Sequence, residues 1–250
     1  IDHAIKRLEE ITKRKFDYDK LGEVMEISNQ TCEWWKMATD LAKARPSPLN
    51  GFDMFNYMAM IVCMRGKREG REIFKLWYEE LKEKAERGIG PWKDQEEKYR
   101  IMWDGIACWP HLSVTYKFLK KYGVNMVTST YPESWNVRYE KNDLGGMARA
   151  YSSNYANRNL DYDTQNVIRL IDDFSLDGIV YHNNRSCKLM DFRTYEVQRR
   201  VAESTGIPSV AFDGDQTDPR IFSEAQYETR IQALIEMMEQ IKKEGRDRRD

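Results

Sequence analysis

The sequence has no apolar run long enough to cross a membrane and no excess of charge of either sign. Of its 250 residues, 40 are Lys or Arg and 41 are Asp or Glu, so the formal net charge is -1. A membrane-spanning helix needs about 20 consecutive apolar residues, and a nucleic-acid-binding surface usually shows as a basic stripe or patch. We therefore expect a protein that neither spans a membrane nor binds nucleic acid.

Cysteine and histidine are also scarce. The four cysteines, Cys32, Cys63, Cys108 and Cys187, are widely spaced and form no CxxC pair, which excludes a recognisable disulfide framework or zinc motif. Residues 1–6 lack the features of a signal peptide and look like the middle of a helix. We expect reduced thiols, a cytoplasmic location and a piece of a longer polypeptide.

Residues 1–97 carry the apolar spacing of amphipathic helices. The pattern predicts one helix from the start of the chain and a second capped by Asp17 or Asp19. Further helices are predicted over residues 52–63 and 68–87. We therefore expect a helical segment over residues 1–97.

From residue 98 to residue 241, short apolar runs alternate with amphipathic stretches. The predicted strands are 100–106, 125–129, 178–182 and 209–212. The predicted helices are 112–122, 144–155, 162–174, 192–205 and 224–241, followed by a charged tail over 242–250. Such alternation implies parallel strands joined by right-handed crossovers. The fold class is therefore α/β, a helical N-terminal segment followed by a Rossmann- or flavodoxin-like parallel sheet flanked by helices.

Polar, aromatic and thiol side chains are concentrated directly after the predicted strands. Open parallel sheets bind ligands in the crevice beyond the carboxyl ends of their strands. The segments in that position are 105–111, 130–135, 182–188 and 213–220. We predict the ligand site in these loops, around Cys187.

Cys187 precedes a predicted helix and is flanked by Arg185 and Lys188. Positive charge and helix N-terminal donors stabilise a thiolate, the form that binds metal or attacks carbon. A nucleophile would need a general base, and His111 and His182 are the only histidines in these loops. The residues alone leave three roles open for Cys187: metal ligand, nucleophile, or small buried hydrophobe.

The remaining polar and thiol candidates receive structural interpretations. Asp213, Asp215 and Asp218 lack calcium-loop spacing and a phosphate-binding glycine motif, so we interpret them as turn and cap residues. Cys32 and Cys63 lie on helical patterns and are interpreted as packing residues.

Several segments together resemble a known family. HNNRSCK (182–188) resembles the segment that carries a cluster-ligand cysteine in 2-hydroxyacyl-CoA dehydratases and their relatives, the ATP-dependent benzoyl-CoA reductases. FDGDQTDPR (212–220), followed by AQYETR (225–230), is similar to the end of the alpha-type subunit. RIMWDGI (100–106) is similar to an upstream strand and loop of that subunit, and PLNGFD (48–53) also matches it. The resemblance covers nearly the whole chain.

The resemblance implies a D component of two homologous subunits, each holding a 4Fe-4S cluster through three cysteines. Cys187 matches the last of these three. The resemblance implies that this chain lacks the family's N-terminal half, an α/β domain, and that the other two cysteines lie there. The family also implies an acyl-CoA substrate and a separate ATP-dependent iron–sulfur activator.

The implied reaction removes water from a 2-hydroxyacyl-CoA. One electron added to the thioester carbonyl gives a ketyl radical anion, which expels the hydroxyl group and makes the β-proton acidic. The electron is then returned. Cys187 is the expected iron ligand. The expected substrate-binding residues are Trp109, Tyr131 and Asn184, and the expected cluster environment is Arg185 and Ser186.

Two alternatives remain open from the sequence. A benzoyl-CoA reductase subunit would share the same motifs, although segment 213–220 looks more like a dehydratase. A noncatalytic scaffold or electron-relay subunit would need the same fold without the substrate site.

Overall fold

The structure is a computed structural model that describes residues 1–247, without the side chains of residue 155 and residues 245–247. The N-terminal segment is helical, as predicted. Its helices are α1 (Asp2–Thr12), α2 (Tyr18–Asp40), α3 (Phe52–Asn56), α4 (Met58–Cys63) and α5 (Arg68–Glu86).

The longest two of these helices pack against each other through aromatic side chains. Trp35 on α2 contacts Phe74 and Trp77 on α5 at ring-centroid distances of 5.1 and 5.6 Å. Cys32 is fully buried on α2, which confirms it as a packing residue. Cys63 is exposed, so its interpretation as a packing residue is wrong. The predicted helix 52–63 is in fact two short helices, and Cys63 ends the second of them.

The second part is a parallel sheet of four strands, which confirms the predicted fold class. The strands are β1 (Tyr99–Asp104), β2 (Val124–Ser129), β3 (Gly178–Asn184) and β4 (Ser209–Gly214). Their order in the sheet is β2-β1-β3-β4, and every neighbouring pair is parallel. β1 and β2 are buried along their whole length, because helices cover both faces of such a sheet.

The helices of this second part are α6 (Leu112–Lys121), α7 (Thr130–Glu133), α8 (Leu144–Ser152), α9 (Leu160–Phe174), α10 (Lys188–Thr205) and α11 (Glu224–Asp247). α6 contacts α11, and α9 contacts α10. The last helix reaches residue 247, so most of the predicted tail is helical, and residues 248–250 lie outside the described residues. In the described part of the chain, no helix is long and apolar enough to cross a membrane.

The helical segment and the sheet share one hydrophobic core. Phe52 and Phe55 of α3 contact Trp103 of β1 edge-on, with ring centroids 6.0 and 5.9 Å apart. At the opposite end of β1, the buried Arg100 guanidinium donates to the Ala44 carbonyl at 3.0 Å. These contacts hold the helical segment against β1 at both of its ends.

Candidate functional site at the carboxyl edge of the sheet

Cys187 lies where the sequence places it, in the loop between β3 and α10. Its backbone N–H donates to the Asn184 carbonyl at 2.9 Å, and its own carbonyl accepts from Met190 and Asp191 at 3.1 and 3.0 Å. Cys187 is therefore the N-cap residue of α10, and the helix starts four residues before the predicted position. The thiol is half-buried and takes part in no hydrogen bond in the part of the chain that the structure describes. Neither His111 nor His182 hydrogen-bonds to it there.

Asp215 joins this loop to the loop after β4. Its Oδ2 accepts from the Ser186 backbone N–H at 2.9 Å, and its Oδ1 accepts from the N–H groups of Thr217 and Asp218 at 2.8 and 3.0 Å. The N–H groups of Asp218 and Thr217 hold the pKa of the Asp215 carboxyl well below its usual range. Asp218 caps the short helical turn Pro219–Ile221 that follows: its Oδ1 accepts from the Arg220 backbone N–H at 3.0 Å. The interpretation of Asp215 and Asp218 as turn and cap residues is confirmed.

The flanking residues of Cys187 have partners of their own. The Arg185 guanidinium forms an ion pair with Asp213 at 2.9 Å, so Asp213 is an ion-pair residue rather than a cap. The Ser186 hydroxyl donates to Asn184 Oδ1 at 3.4 Å. Their predicted role around a cluster stays a prediction.

Asn184 is fully buried at the end of β3. Its Oδ1 also accepts from the Gln216 backbone N–H at 3.1 Å, whereas its Nδ2 has no hydrogen-bond partner among the described residues. A buried donor without a partner costs about 1–3 kcal/mol. Asn184 therefore keeps a buried amide donor without a hydrogen-bond partner, three residues before Cys187 in the chain.

His182 is a core residue under these loops. Its ring stacks on Phe212 at 4.9 Å, and its Nδ1 lies 2.5 Å from the Ile106 carbonyl oxygen. Burial lowers the pKa of His182 to about 4, so the ring is neutral near pH 7. Cys108 is also buried, its Sγ is 3.6 Å from the Asp215 carbonyl oxygen, and burial raises the pKa of its thiol.

The predicted substrate-binding aromatics lie in two different segments of this edge. Trp109 follows β1, is 38% exposed and contacts Phe55 edge-on. Tyr131 follows β2, is half-buried and contacts Trp135 at 6.5 Å. Both lie beyond the carboxyl ends of their strands, and their contact with a substrate stays a prediction.

Sequence reasoning missed a buried charge cluster between α9, α10 and the end of β1. Arg193 of α10 lies 3.3 Å from Asp104 at the end of β1 and 3.3 Å from Asp163 of α9. Thr130 Oγ1 donates to Asp104 at 2.7 Å. Burial, opposed by Arg193, raises the pKa of Asp163 to about 6. The cluster fixes the first turns of α10, and therefore the Cys187 loop, against the end of β1.

A polar cavity beyond β2 was also missed. Its volume is about 360 Å³, and α7, α8, α9 and the segment after α7 line it. Amide, hydroxyl and charged side chains dominate its wall. The sequence shows these residues as an ordinary polar loop and helix surface, so no local pattern marks them.

Comparison with known proteins gives a family for this chain. The family model "2-hydroxyglutaryl-CoA dehydratase, D-component" matches residues 1–238. The chain is 52% identical over 246 residues to the (R)-2-hydroxyisocaproyl-CoA dehydratase alpha subunit of Clostridioides difficile, covering 98% of this chain and 60% of that protein. It is 40% identical over 241 residues to the (R)-2-hydroxyglutaryl-CoA dehydratase alpha subunit of Acidaminococcus fermentans, covering 96% of this chain and 50% of that protein.

A more distant relative is a benzoyl-CoA reductase subunit of Thauera aromatica, at 26% identity over 251 residues, covering 96% of this chain and 58% of that protein. The chain thus spans little more than half of the length of these relatives. The match to the family model over residues 1–238 confirms the resemblance drawn from the loop segments. This chain belongs to the 2-hydroxyglutaryl-CoA dehydratase D-component family.

Proposed function

We propose that this chain is part of the alpha subunit of an iron–sulfur (R)-2-hydroxyacyl-CoA dehydratase. The reaction converts 2-hydroxyacyl-CoA into 2-enoyl-CoA and water. The observation that carries the proposal is the gap in identity: 52% and 40% to dehydratase alpha subunits against 26% to a benzoyl-CoA reductase subunit. A homologous second subunit and an ATP-dependent iron–sulfur activator would complete the system.

The residues around Cys187 fit one corner of a 4Fe-4S cluster. A thiolate is the usual ligand of such clusters, and the Cys187 thiol is free of hydrogen bonds within the described residues. The first N–H groups of α10 have no acceptor inside the helix, and the positive end of the helix dipole stabilises negative charge there. Among the side chains that the structure describes, no three or more of His, Cys, Asp or Glu come together to hold a metal. In this proposal Cys187 supplies one ligand of the cluster, and the remaining ligands come from other parts of the complete protein.

When bound, the cluster would supply the low-potential electron that activates the thioester carbonyl. Residues of this chain fix the backbone around the proposed cluster ligand. Asp215 fixes the backbone of Ser186, and Asn184 fixes the backbone of Cys187, so the backbone that carries the thiol has a defined position. Asn184, three residues before Cys187, also has a buried Nδ2 donor without a hydrogen-bond partner among the described residues. Trp109 and Tyr131 would form walls that keep water away from the reacting thioester.

The proposal is tested with the complete subunit, its partner subunit and an activator supplied with ATP. We expect conversion of 2-hydroxyisocaproyl-CoA to the enoyl-CoA and no consumption of benzoyl-CoA. A substrate-radical signal in the electron paramagnetic resonance spectrum is expected during turnover. Ring reduction of benzoyl-CoA would favour the reductase, and the absence of both reactions would favour a scaffold or relay subunit.

A further inference from the structure

The backbone N–H groups that lead up to Cys187 all have acceptors within the protein. The N–H groups of Arg185 and Cys187 donate to backbone carbonyls at 3.1 and 2.9 Å. Between them, the Ser186 N–H donates to a side chain, that of Asp215, at 2.9 Å. Hydrogen bonds to the sulfur atoms of an iron–sulfur cluster help to set its reduction potential, and N–H donors raise that potential because they stabilise the more negative, reduced state. The loop therefore offers none of these three N–H donors to a cluster at Cys187.

Asp215 is the charged acceptor among these groups. The residue is 3% exposed, and its Oδ1 also accepts from the Thr217 hydroxyl at 3.1 Å. Within the described part of the chain, its partners are N–H and O–H groups, and no Lys or Arg side chain forms an ion pair with it. These donors hold the pKa of the carboxyl far below its usual range, so it is ionised at neutral pH. The negative charge of Asp215 is therefore permanent and unpaired.

The other two carboxylates of segment 213–220 have cationic partners. Asp213 forms an ion pair with Arg185 at 2.9 Å, and Asp218 forms one with Arg220 at 2.6 Å. The two charges of each pair largely cancel, and water screens what remains because both arginines are more than half exposed. Asp215 is therefore the main source of negative field from this segment at the Cys187 loop.

The Asp215 carboxylate is close enough to Cys187 to affect an electron held there. Because Ser186 directly precedes Cys187, bond lengths keep Oδ2 of Asp215 within roughly 11 Å of the Cys187 sulfur. At an effective dielectric constant of about 20, a unit charge roughly 10 Å away changes an equilibrium that adds one charge by about tenfold. The carboxylate repels the added electron, so it lowers the reduction potential of a cluster at this position.

We propose that Asp215 is a redox-tuning residue, which keeps the cluster at Cys187 strongly reducing through its fixed negative charge and by accepting the Ser186 N–H. The inference rests on the proposed function, because it assumes a cluster at Cys187. It adds the group on this chain that controls how readily the cluster takes up one electron from the activator. A strongly reducing cluster is what the proposed electron transfer to a thioester carbonyl requires.

The test is a redox titration of the complete subunit, purified without oxygen, with dithionite as reductant and electron paramagnetic resonance as the readout. In Asp215→Asn, the ratio of reduced to oxidised cluster at the wild-type midpoint potential is expected to rise about tenfold. For a one-electron couple this is an upward shift of about 59 mV. Asp213→Asn is the matched control, since it removes the same charge from a side chain that is 48% exposed. Its shift is expected to be much smaller, because water screens that position.

A second pair of variants leaves Asp215 itself intact. Thr217 is exposed and its hydroxyl lies against the Asp215 carboxylate. Thr217→Lys places an ammonium group beside this carboxylate, whereas Thr217→Gln adds a neutral side chain of similar length. The midpoint potential of Thr217→Lys is expected to exceed that of Thr217→Gln, because the lysine partly neutralises the charge that opposes reduction.

The outcomes separate this inference from the proposed function. Full iron content with an unchanged midpoint potential in Asp215→Asn would overturn the inference, as would an equally large shift in Asp213→Asn. If Asp215→Asn loses its iron, the Thr217 pair decides, and equal potentials in Thr217→Lys and Thr217→Gln would overturn the inference. A complete wild-type subunit without any iron–sulfur signal would instead overturn the proposed function.

Discussion

Replacing Arg193 with methionine is the sharpest test of the buried charge cluster at the sheet edge. The Arg193 side chain is 9% exposed, and those of Asp104 and Asp163 are 0% and 2% exposed. Methionine keeps much of the apolar volume but leaves two buried carboxylates without their cation. Removing one partner from a buried ion pair usually costs about 3–5 kcal/mol. We expect Arg193→Met to lower the free energy of unfolding by about that amount near pH 8.

The loss of unfolding free energy in Arg193→Met is expected to depend on pH. The pKa of Asp163 is raised to about 6 in the folded protein, above the ordinary value of 3.8. A carboxyl with a raised folded-state pKa binds more protons in the folded state, so stability falls as pH rises through that range. Without Arg193 the same pKa rises further, because the cation no longer stabilises the carboxylate. The free-energy loss is therefore expected to be smaller at pH 5, where Asp163 takes up a proton.

The assay is urea unfolding followed by circular dichroism, at pH 8 and at pH 5. Arg199→Met is the matched control on the same helix, because Arg199 is 46% exposed and pairs only with Glu196 and Glu203 among the described residues. Exposed ion pairs contribute little to stability, so the control is expected to lose far less than Arg193→Met. Equal losses in the two variants, or the same loss for Arg193→Met at both pH values, would refute the reasoning.

Two further variants test the same region. In the wild type, the unfolding free energy is expected to fall between about pH 4 and pH 6, because the pKa of the Asp163 carboxyl is raised. Asp163→Asn is expected to flatten this fall, and an unchanged slope in pH-dependent urea titrations would contradict the reasoning. Gly214→Ala is expected to cost about 1–3 kcal/mol by overpacking, because the added Cβ would lie 2.6 Å from His182 Nε2. Gly90→Ala, whose Cβ would have its nearest contact at 3.4 Å, is the control in the same unfolding assay, and equal stability of the two variants would count against the close packing.

The strands and the loops at the carboxyl edge of the sheet could be predicted because both follow from local patterns. The buried strands are short apolar runs, and parallel pairing puts their carboxyl ends at one edge. The predicted start of α10 is too late for a physical reason. Helix prediction follows apolar periodicity, which points to Phe192, but Phe192 is 77% exposed and the helix begins through a backbone cap at Cys187. The residue before the cap, Ser186, donates its backbone N–H to Asp215 of another loop, and periodicity does not contain such a contact.

The charge cluster and the cavity could not be predicted, because both depend on residues far apart in the chain. Arg193 and Asp104 are separated by 89 positions, and a charged residue on an amphipathic helix is normally interpreted as part of a solvated face. The prediction for Cys63 is wrong because the apolar run 52–63 has the pattern of one continuous helix. The break at Tyr57 makes it two short helices, and the second ends in an exposed residue.

The measurement that most directly tests the central claim is the iron content of the complete subunit purified without oxygen. We expect wild type and Cys63→Ala, which removes an exposed thiol, to hold equal iron and acid-labile sulfide with the same electron paramagnetic resonance spectrum after reduction. In Cys187→Ala, the iron content and the spectrum are expected to be reduced or altered. Full iron content and an unchanged spectrum in Cys187→Ala would contradict the assignment of Cys187 as a cluster ligand.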